Sequence, residues 1–254
     1  MTLVNTAQIA EIFSGIQGEG PIVGVRQLFI RFYNCNISCS WCDTPAAKIT
    51  NGPCIVETFP GNRKNITTNN PFSPIDLFKT ILPFLSFPHH SISLTGGEPL
   101  LYHKFLQEFL PMIKQHKSYK IYLETNGILH DALEKVLPWI DIIGMDWKLP
   151  SSAKTKNLTE QHTIFLQKAY NHNLFIKIIV TKDTNNKELI NAYNIIADKN
   201  SEIPVILQPV TNSNNSANIL PPTPKQLLDW QETALHYFSD VRVIPQTHIF
   251  IGQR

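Results

Sequence analysis

Cys35-Asn36-Ile37-Ser38-Cys39-Ser40-Trp41-Cys42 sets three cysteines at C-x3-C-x2-C spacing directly behind the apolar stretch 28–33. Three thiolates this close together can hold three irons of a cubic 4Fe–4S cluster. No fourth cysteine follows at matching spacing, so the fourth iron keeps an open coordination position. A ferredoxin that only transfers electrons closes that position with a fourth cysteine; an enzyme leaves it open for a substrate or cofactor. Two plainer readings compete. Small buried cysteines seldom cluster so tightly among polar neighbours such as Asn34, Asn36, Ser38 and Ser40. A structural zinc site would recruit Cys54 as its fourth ligand, but zinc sites usually pair two C-x2-C elements, and this chain has one.

Around this motif the chain reads as one α/β domain over 1–254. Its 254 residues with 43% apolar content are enough for one sizeable core. A formal net charge of +2 gives no nucleic-acid or membrane-surface footprint. The opening MTLVNTAQIAEIF lacks the basic-then-apolar pattern of a signal peptide, and no apolar run reaches membrane-spanning length. Four cysteines, three of them clustered, fit a reducing cytoplasm better than a disulfide framework.

Strand-length apolar runs alternate with helix-period segments. The pattern predicts strands at 28–33, 91–95, 120–124, 140–145, 175–181, 204–208 and 241–244, with helices at 74–85, 100–116, 129–137, 160–171, 187–198 and 224–238. Repeated β-then-α units imply parallel strands with right-handed crossovers, hence a partial (β/α) TIM-like barrel of about six parallel strands. Chemistry in such barrels sits at the C-terminal strand ends. The polar motifs fall there: Thr95-Gly96-Gly97-Glu98, Glu124-Thr125-Asn126-Gly127, Asp146-Trp147-Lys148, Thr181 and Gln208. Two stretches break the alternation: 49–71, rich in Asn, Thr, Gly and Pro and read as an inserted loop, and the polar loop 212–222.

Several residues carry a chemical reading beside a plain one. Gly96-Gly97 lets backbone approach a ligand closely, and Glu98 offers a carboxylate to an ammonium group; an ordinary βα turn has the same composition. Glu124 and Asn126 suit ribose hydroxyls, or form a Gly-closed turn. Lys148 suits a carboxylate, or is a solvated loop lysine. Upstream, Gly15-Ile16-Gln17-Gly18-Glu19-Gly20 reads as a tight loop exposing its backbone. Its Gln17 both donates and accepts, and Glu19 accepts, which matches the amino and N–H edge of a fused pyrimidinone. Arg31 is a bidentate fork for a carboxylate, or a surface ion-pair residue.

The cysteine spacing, with Trp41 before the last cysteine, resembles the radical S-adenosylmethionine (SAM) superfamily, whose open iron chelates the amino and carboxylate groups of SAM; Thr95–Pro99 resembles its glycine-rich strand end. The Ser14-x-x-Gln17-Gly18-Glu19-Gly20 loop, the approach from Arg31 to Cys35, Cys42-Asp43-Thr44 and Gln246-Thr247-His248 narrow the likeness to the 7-carboxy-7-deazaguanine synthase family of queuosine and 7-deazapurine biosynthesis. The likeness runs from about residue 12 to 252. It implies a shortened barrel, a homodimer and a flavodoxin-type electron donor. The implied reaction is ring contraction of 6-carboxy-5,6,7,8-tetrahydropterin with loss of ammonia. It is started by a 5′-deoxyadenosyl radical that takes hydrogen from C6 and returns it, so that SAM is regenerated. The resemblance assigns Cys35, Cys39 and Cys42 to the cluster and Thr44 to Mg2+. It assigns Ile16, Gln17, Gly18, Glu19, Arg31, Thr95, Gln246 and His248 to the pterin, and Gly96, Gly97, Glu98, Glu124, Asn126, Asp146, Trp147 and Lys148 to SAM. The chain departs from the family pattern at Ile249, where many relatives have lysine, and at Met145-Asp146-Trp147-Lys148, where Ser-x-Lys is commoner. A glycyl-radical activase is the nearest alternative, disfavoured by Gln17–Gly20 and Cys-Asp-Thr; the zinc module predicts a colourless protein indifferent to oxygen.

Overall fold

The computed structural model describes residues 5–44, 49–116, 119–211 and 219–253. Most of the polar stretch at 212–222 (residues 212–218), Pro45 and the terminal Arg254 lie outside the described residues. Ten strands form one sheet: β1 (Ile9–Ile16), β2 (Arg26–Phe32), β3 (Cys54–Glu57), β4 (Asn65–Thr68), β5 (Ser91–Gly96), β6 (Lys120–Thr125), β7 (Ile142–Asp146), β8 (Leu174–Val180), β9 (Val205–Pro209) and β10 (Val241–Val243). Their order is β10-β9-β8-β7-β6-β5-β2-β1-β3-β4. From β2 through β5 to β10 every pairing is parallel, so the partial barrel has seven parallel strands where about six were expected.

The crossover helices are α1 (Pro74–Ile81), α2 (His103–His116), α3 (His130–Val136), α5 (Thr159–Ala169), α6 (Asn186–Lys199) and α7 (Pro224–Leu235); two short turns, α4 (Pro150–Ala153) and α8 (Thr247–Phe250), were not read from sequence. The ends follow capping chemistry. Ser73 accepts from the Asp76 N–H ahead of Pro74, and Thr223 forms a capping box with Gln226 ahead of Pro224.

Two expectations need correction. Residues 9–16, read in part as loop, form β1, antiparallel to β2 from Ile9↔Phe32 to Ile16↔Arg26; the tight loop starts only at Gln17. The 49–71 stretch is a hairpin, β3–β4, that extends the sheet beyond β1. Its β-branched Ile55, Val56, Ile66, Thr67 and Thr68 suit strands, while the Asn and Gly residues between them supply the turn.

Strand periodicity sorts side chains into two sets. Outward-facing Leu94, Leu123, Ile143, Ile176, Ile178 and Leu207 pack under the helices with Phe105, Phe109, Phe165 and Tyr193 in the main core. Inward-facing Tyr122, Ile142, Phe175 and Ile206 form a separate small cluster that floors the barrel. Gly144 belongs to this floor. A Cβ there would lie 2.5 Å from Tyr122 Oη and 2.8 Å from Phe175 Cζ. Among the described residues no helix is long and apolar enough to cross a membrane.

Gly144→Ala is therefore expected to overpack the floor and cost about 1–3 kcal/mol in urea unfolding. Combining it with Phe175→Leu should recover part of that loss; an unchanged midpoint in the single variant would refute the packing account.

Candidate active site

Above the floor the barrel opens into a cavity of about 660 Å³. Its wall is the next inward step on each strand: Arg31 on β2, Thr95 on β5, Glu124 on β6, Asp146 on β7, Lys177 and Ile179 on β8, and Gln208 on β9. Cys35, Cys39 and Cys42 line the mouth.

The cysteine loop is held from both sides. The Gly97 N–H donates to Phe32 O (2.9 Å) and the Glu98 N–H to Asn34 O (2.8 Å). This approach leaves no room for a side chain, since a Cβ on Gly97 would fall 1.7 Å from Asn34 O. Gly96 has φ +113, a conformation that suits glycine. On the other side, Ser40 N–H donates to Ala153 O (2.9 Å) and Trp41 Nε1 to Ser152 Oγ (3.2 Å), so α4 clamps the loop. The Asn126 amide nitrogen reaches Asn36 Oδ1 (2.7 Å) and Cys35 Sγ (3.7 Å).

The loop after β1 lines the same cavity. Gln17 Nε2 donates to Gln27 Oε1 (3.0 Å), and its own oxygen accepts from the Glu19 N–H (3.0 Å). The C-terminal segment returns to the same loop. Thr247 N–H donates to Gly18 O (2.9 Å), and a Cβ on Gly18 would meet His248 Nδ1 at 2.2 Å. Gln246 Nε2 bridges Glu19 Oε1 (2.8 Å) and Asp43 Oδ2 (2.6 Å). Arg31 pairs with Glu11 (3.1 Å) and donates to Thr44 Oγ1 (3.3 Å), which itself donates to Asp43 Oδ1 (3.2 Å).

Charged groups dominate the middle of the wall. Lys177 contacts Glu19, donates to Glu124 Oε1 (2.8 Å) and lies 3.8 Å from Asp146. Glu124 also accepts from Thr95 Oγ1 (2.7 Å). Lys148 pairs with Asp146 (2.6 Å) and stands 4.3 Å from the Trp41 ring centroid, in cation–π contact. Burial drives the Glu19 carboxyl upward, but the Lys177 ammonium and the hydrogen bonds to it outweigh burial and hold Glu19 below the ordinary value.

Fourteen of the sixteen residues assigned above to pterin or SAM line this one cavity, as do the three cysteines and Thr44. Two do not. Glu98 is fully buried, and its carboxylate accepts from Leu100 N–H, Thr125 Oγ1 and Asn126 N–H. Burial raises its pKa to about 7 against the pull of those hydrogen bonds. Through these bonds it braces β5 against β6. Trp147 points away from its neighbours Asp146 and Lys148, as strand alternation requires, and packs on His162 with ring centroids 4.9 Å apart. Gln17 lines the cavity, but both ends of its amide are engaged in holding the turn.

Lys177 and Asp43 were missed. Lys177 was visible as a lone charge in Leu174-Phe175-Ile176-Lys177-Ile178-Ile179-Val180, two residues from Phe175 and Ile179 and so on the inward face.

The wall fits the implied groups. Asn126 Oδ1, Asp146 Oδ1 and Gln208 Oε1 are buried acceptors with no protein partner, and all three residues line the cavity. A ligand rich in donors, with an ammonium group, ribose hydroxyls and an amino-purine, would satisfy them. Burial pushes the Cys35 thiol up and the Cys39 thiol up to about 11; iron would supply the positive charge that keeps them as thiolates. Cys54 is fully buried in the main core and does not line the cavity, which overturns its reading as a zinc ligand.

Residues 29–165 match the model of the radical SAM superfamily. The chain is 44% identical to a 7-carboxy-7-deazaguanine synthase of Geobacter sulfurreducens over 97% of this chain and 98% of that one. It is 34% identical to the enzyme of that name from Archaeoglobus fulgidus, covering 98% and 99%. Among solved structures, QueE from Escherichia coli superposes with a TM-score of 0.61 at 21% identity, covering 96% of this chain and 95% of that one. Streptococcus suis SuiB bound to S-adenosylmethionine gives a TM-score of 0.56 at 14% identity, covering 84% and 48%.

Cys54→Ala is expected to leave the iron and sulfide content of anaerobically reconstituted protein unchanged, whereas Cys39→Ala abolishes the cluster absorbance. Gly97→Ala should cost roughly 4 kcal/mol of stability, because backbone must move to admit the methyl group. Thermal melting checks it, and a near-native melting point would sink the close-approach argument.

Proposed function

The chain belongs to the 7-carboxy-7-deazaguanine synthase family of the radical SAM superfamily, and from that premise we propose how its residues divide the work. The reaction converts 6-carboxy-5,6,7,8-tetrahydropterin into 7-carboxy-7-deazaguanine with loss of ammonia, a step of 7-deazapurine biosynthesis. When bound, the 4Fe–4S cluster and SAM supply the one-electron and hydrogen-abstraction chemistry that begins it.

Cys35, Cys39 and Cys42 hold the cluster. Gly96 and Gly97 bring backbone to the methionine end of SAM, with Lys148 for its carboxylate and Asp146 for its ammonium. Glu124 and Asn126 serve the ribose. Across the cavity Ile16, Gly18 and His248 enclose the pterin. Glu19 accepts from its donor edge, with Gln17 holding the turn, and Gln246 orients Glu19. Arg31 holds the pterin carboxylate, and Thr95 touches the substrate while bonded to Glu124. Thr44 holds Mg2+ through its hydroxyl; the oxygens of Asp43 and Thr44 at the cavity wall are the hard donors such an ion prefers. The observation that carries this division is that the three cysteines and the Glu19–Gln246 pair line one cavity, with Gln246 joined to Asp43 beside Cys42.

The chain acts as one radical SAM domain, a reading supported by its single ten-stranded sheet. It works as a homodimer, for which the exposed Phe59, Ile66, Phe250 and Ile251 offer apolar contact. Its electron comes from a flavodoxin-type donor, and its free cysteines suit the cytoplasm.

Anaerobic turnover of reconstituted protein with SAM, dithionite, Mg2+ and 6-carboxytetrahydropterin, followed by mass spectrometry, is expected to give a product lighter by one ammonia with SAM largely conserved. Cleavage of SAM with the pterin untouched would remove the substrate assignment and favour an activase. Omitting Mg2+ is expected to lower the rate; an unchanged rate would remove Thr44 from the metal role.

A further inference from the structure

Lys177 stands at mid-height on β8 with its side chain 7% exposed, among three carboxylates drawn from three parts of the site. Glu19 belongs to the pterin-side loop. Glu124 ends β6 and accepts from Thr95, and Asp146 ends β7 and pairs with Lys148. The loop is seated on β8 twice. Glu19 meets Lys177, and Gly20, at φ +68, lies where a Cβ would be 2.7 Å from Phe175 Cζ. Phe175 and Lys177 are neighbours on the inward face of one strand, so a single rigid element sets the height of the loop.

We propose that Lys177 is a positioning residue that couples the pterin side of the cavity to the SAM side. As the shared counterion it holds Glu19 ionised and turned toward the pterin edge, and through Glu124 it holds the Thr95 hydroxyl. This rests on the assignment of Glu19 to the pterin. A buried carboxylate stripped of its cation reverts toward the neutral acid. Glu19 faces Lys177, Gln246 and Asp43, and only Lys177 among them carries positive charge. Lys177 in turn faces Glu124, Glu19, Asp146 and the buried Tyr122, with Lys148 beyond Asp146. Removing Lys177 leaves burial and Asp43, which raise the Glu19 pKa, opposed only by the smaller effect of the Gln246 hydrogen bond.

The test measures binding of 6-carboxypterin, a non-reacting probe, to reconstituted holoenzyme with SAM between pH 5.5 and 7.5. The proteins are wild type, Lys177→Met, Lys177→Arg, Glu19→Gln and the double variant Lys177→Met/Glu19→Gln. Wild type sets the reference profile: Glu19 stays ionised throughout, so any slope in it belongs to other groups, such as Glu98 at about 7. Lys177→Met should bind roughly 30-fold or more weakly at neutral pH, with affinity rising as pH rises through the elevated Glu19 pKa. Lys177→Arg, which keeps the charge, should restore the wild-type profile and most of the affinity. The double variant should lose less than the two single losses combined, since Glu19→Gln already removes the Glu19 path and only the Thr95 path is left to lose. A Lys177→Met protein within threefold of wild type and with the wild-type pH profile overturns the coupling. An additive loss in the double variant also overturns it, and that comparison decides if Lys177→Met alone fails to fold. Wild type that binds the probe but does not turn over the tetrahydropterin refutes the reaction and leaves the coupling to be judged by the same variants.

Discussion

The backbone of Gly97 lies against the backbone of Asn34, and the geometry of the site depends on that contact. It joins the end of β5 to the residue preceding Cys35, at a distance no side chain permits. Asn34 itself sits at φ 67, turning the chain from β2 into the cysteine loop. Glu98 then ties this joint to the end of β6 through Thr125 and the Asn126 backbone. The Gly-Gly-Glu sequence is thus a three-way splice between β2, β5 and β6. With α4 clamping Ser40 and Trp41 from the far side, the cysteines take their places from the sheet and not from the loop's own preferences.

A second constraint is electrostatic. Glu19, Glu124 and Asp146 face Lys177 and Lys148 inside the barrel. Isolated, each of these charges would be costly to remove from water; arranged as an alternating cluster they offset one another. Remaining acceptors on Asn126, Asp146 and Gln208 find no protein donor, so the wall is satisfied toward itself and unsatisfied toward the cavity. That asymmetry is a mark of a binding surface.

The parallel sheet was legible because its strands are β-branched runs separated by helix-period segments; Phe175–Thr181 and its neighbours admit little else. The cysteine loop and most of the wall were legible because polar residues at strand ends have few other reasons to be there. The hairpin β3–β4 was not, since its strands are four residues long, β4 is largely solvent-facing, and the surrounding composition resembles a loop. β1 was obscured by Ser14 and Gly15, residues that suit a turn as well as a strand. Glu98 and Trp147 fall outside the cavity lining for different reasons. Glu98 lies beyond β5, with its carboxylate engaged by Leu100, Thr125 and Asn126, and Trp147 packs on His162 between two residues that line the cavity. Strand alternation along β8 points Lys177 inward.

Gln246 and Glu19 are 227 positions apart in the chain, yet share a hydrogen bond at the heart of the pterin side. The parallel strands pair mostly with their sequence neighbours and can zip up progressively. The closure of Gln246 and Thr247 onto Glu19 and Gly18 must instead overcome the chain entropy of a loop spanning nearly the whole protein. One wall of the cavity is thus borrowed from residues far along the chain, and a change that loosens the segment around Gln246 and Thr247 loosens the Gly18–Glu19 wall with it while leaving the splice at Gly97 untouched.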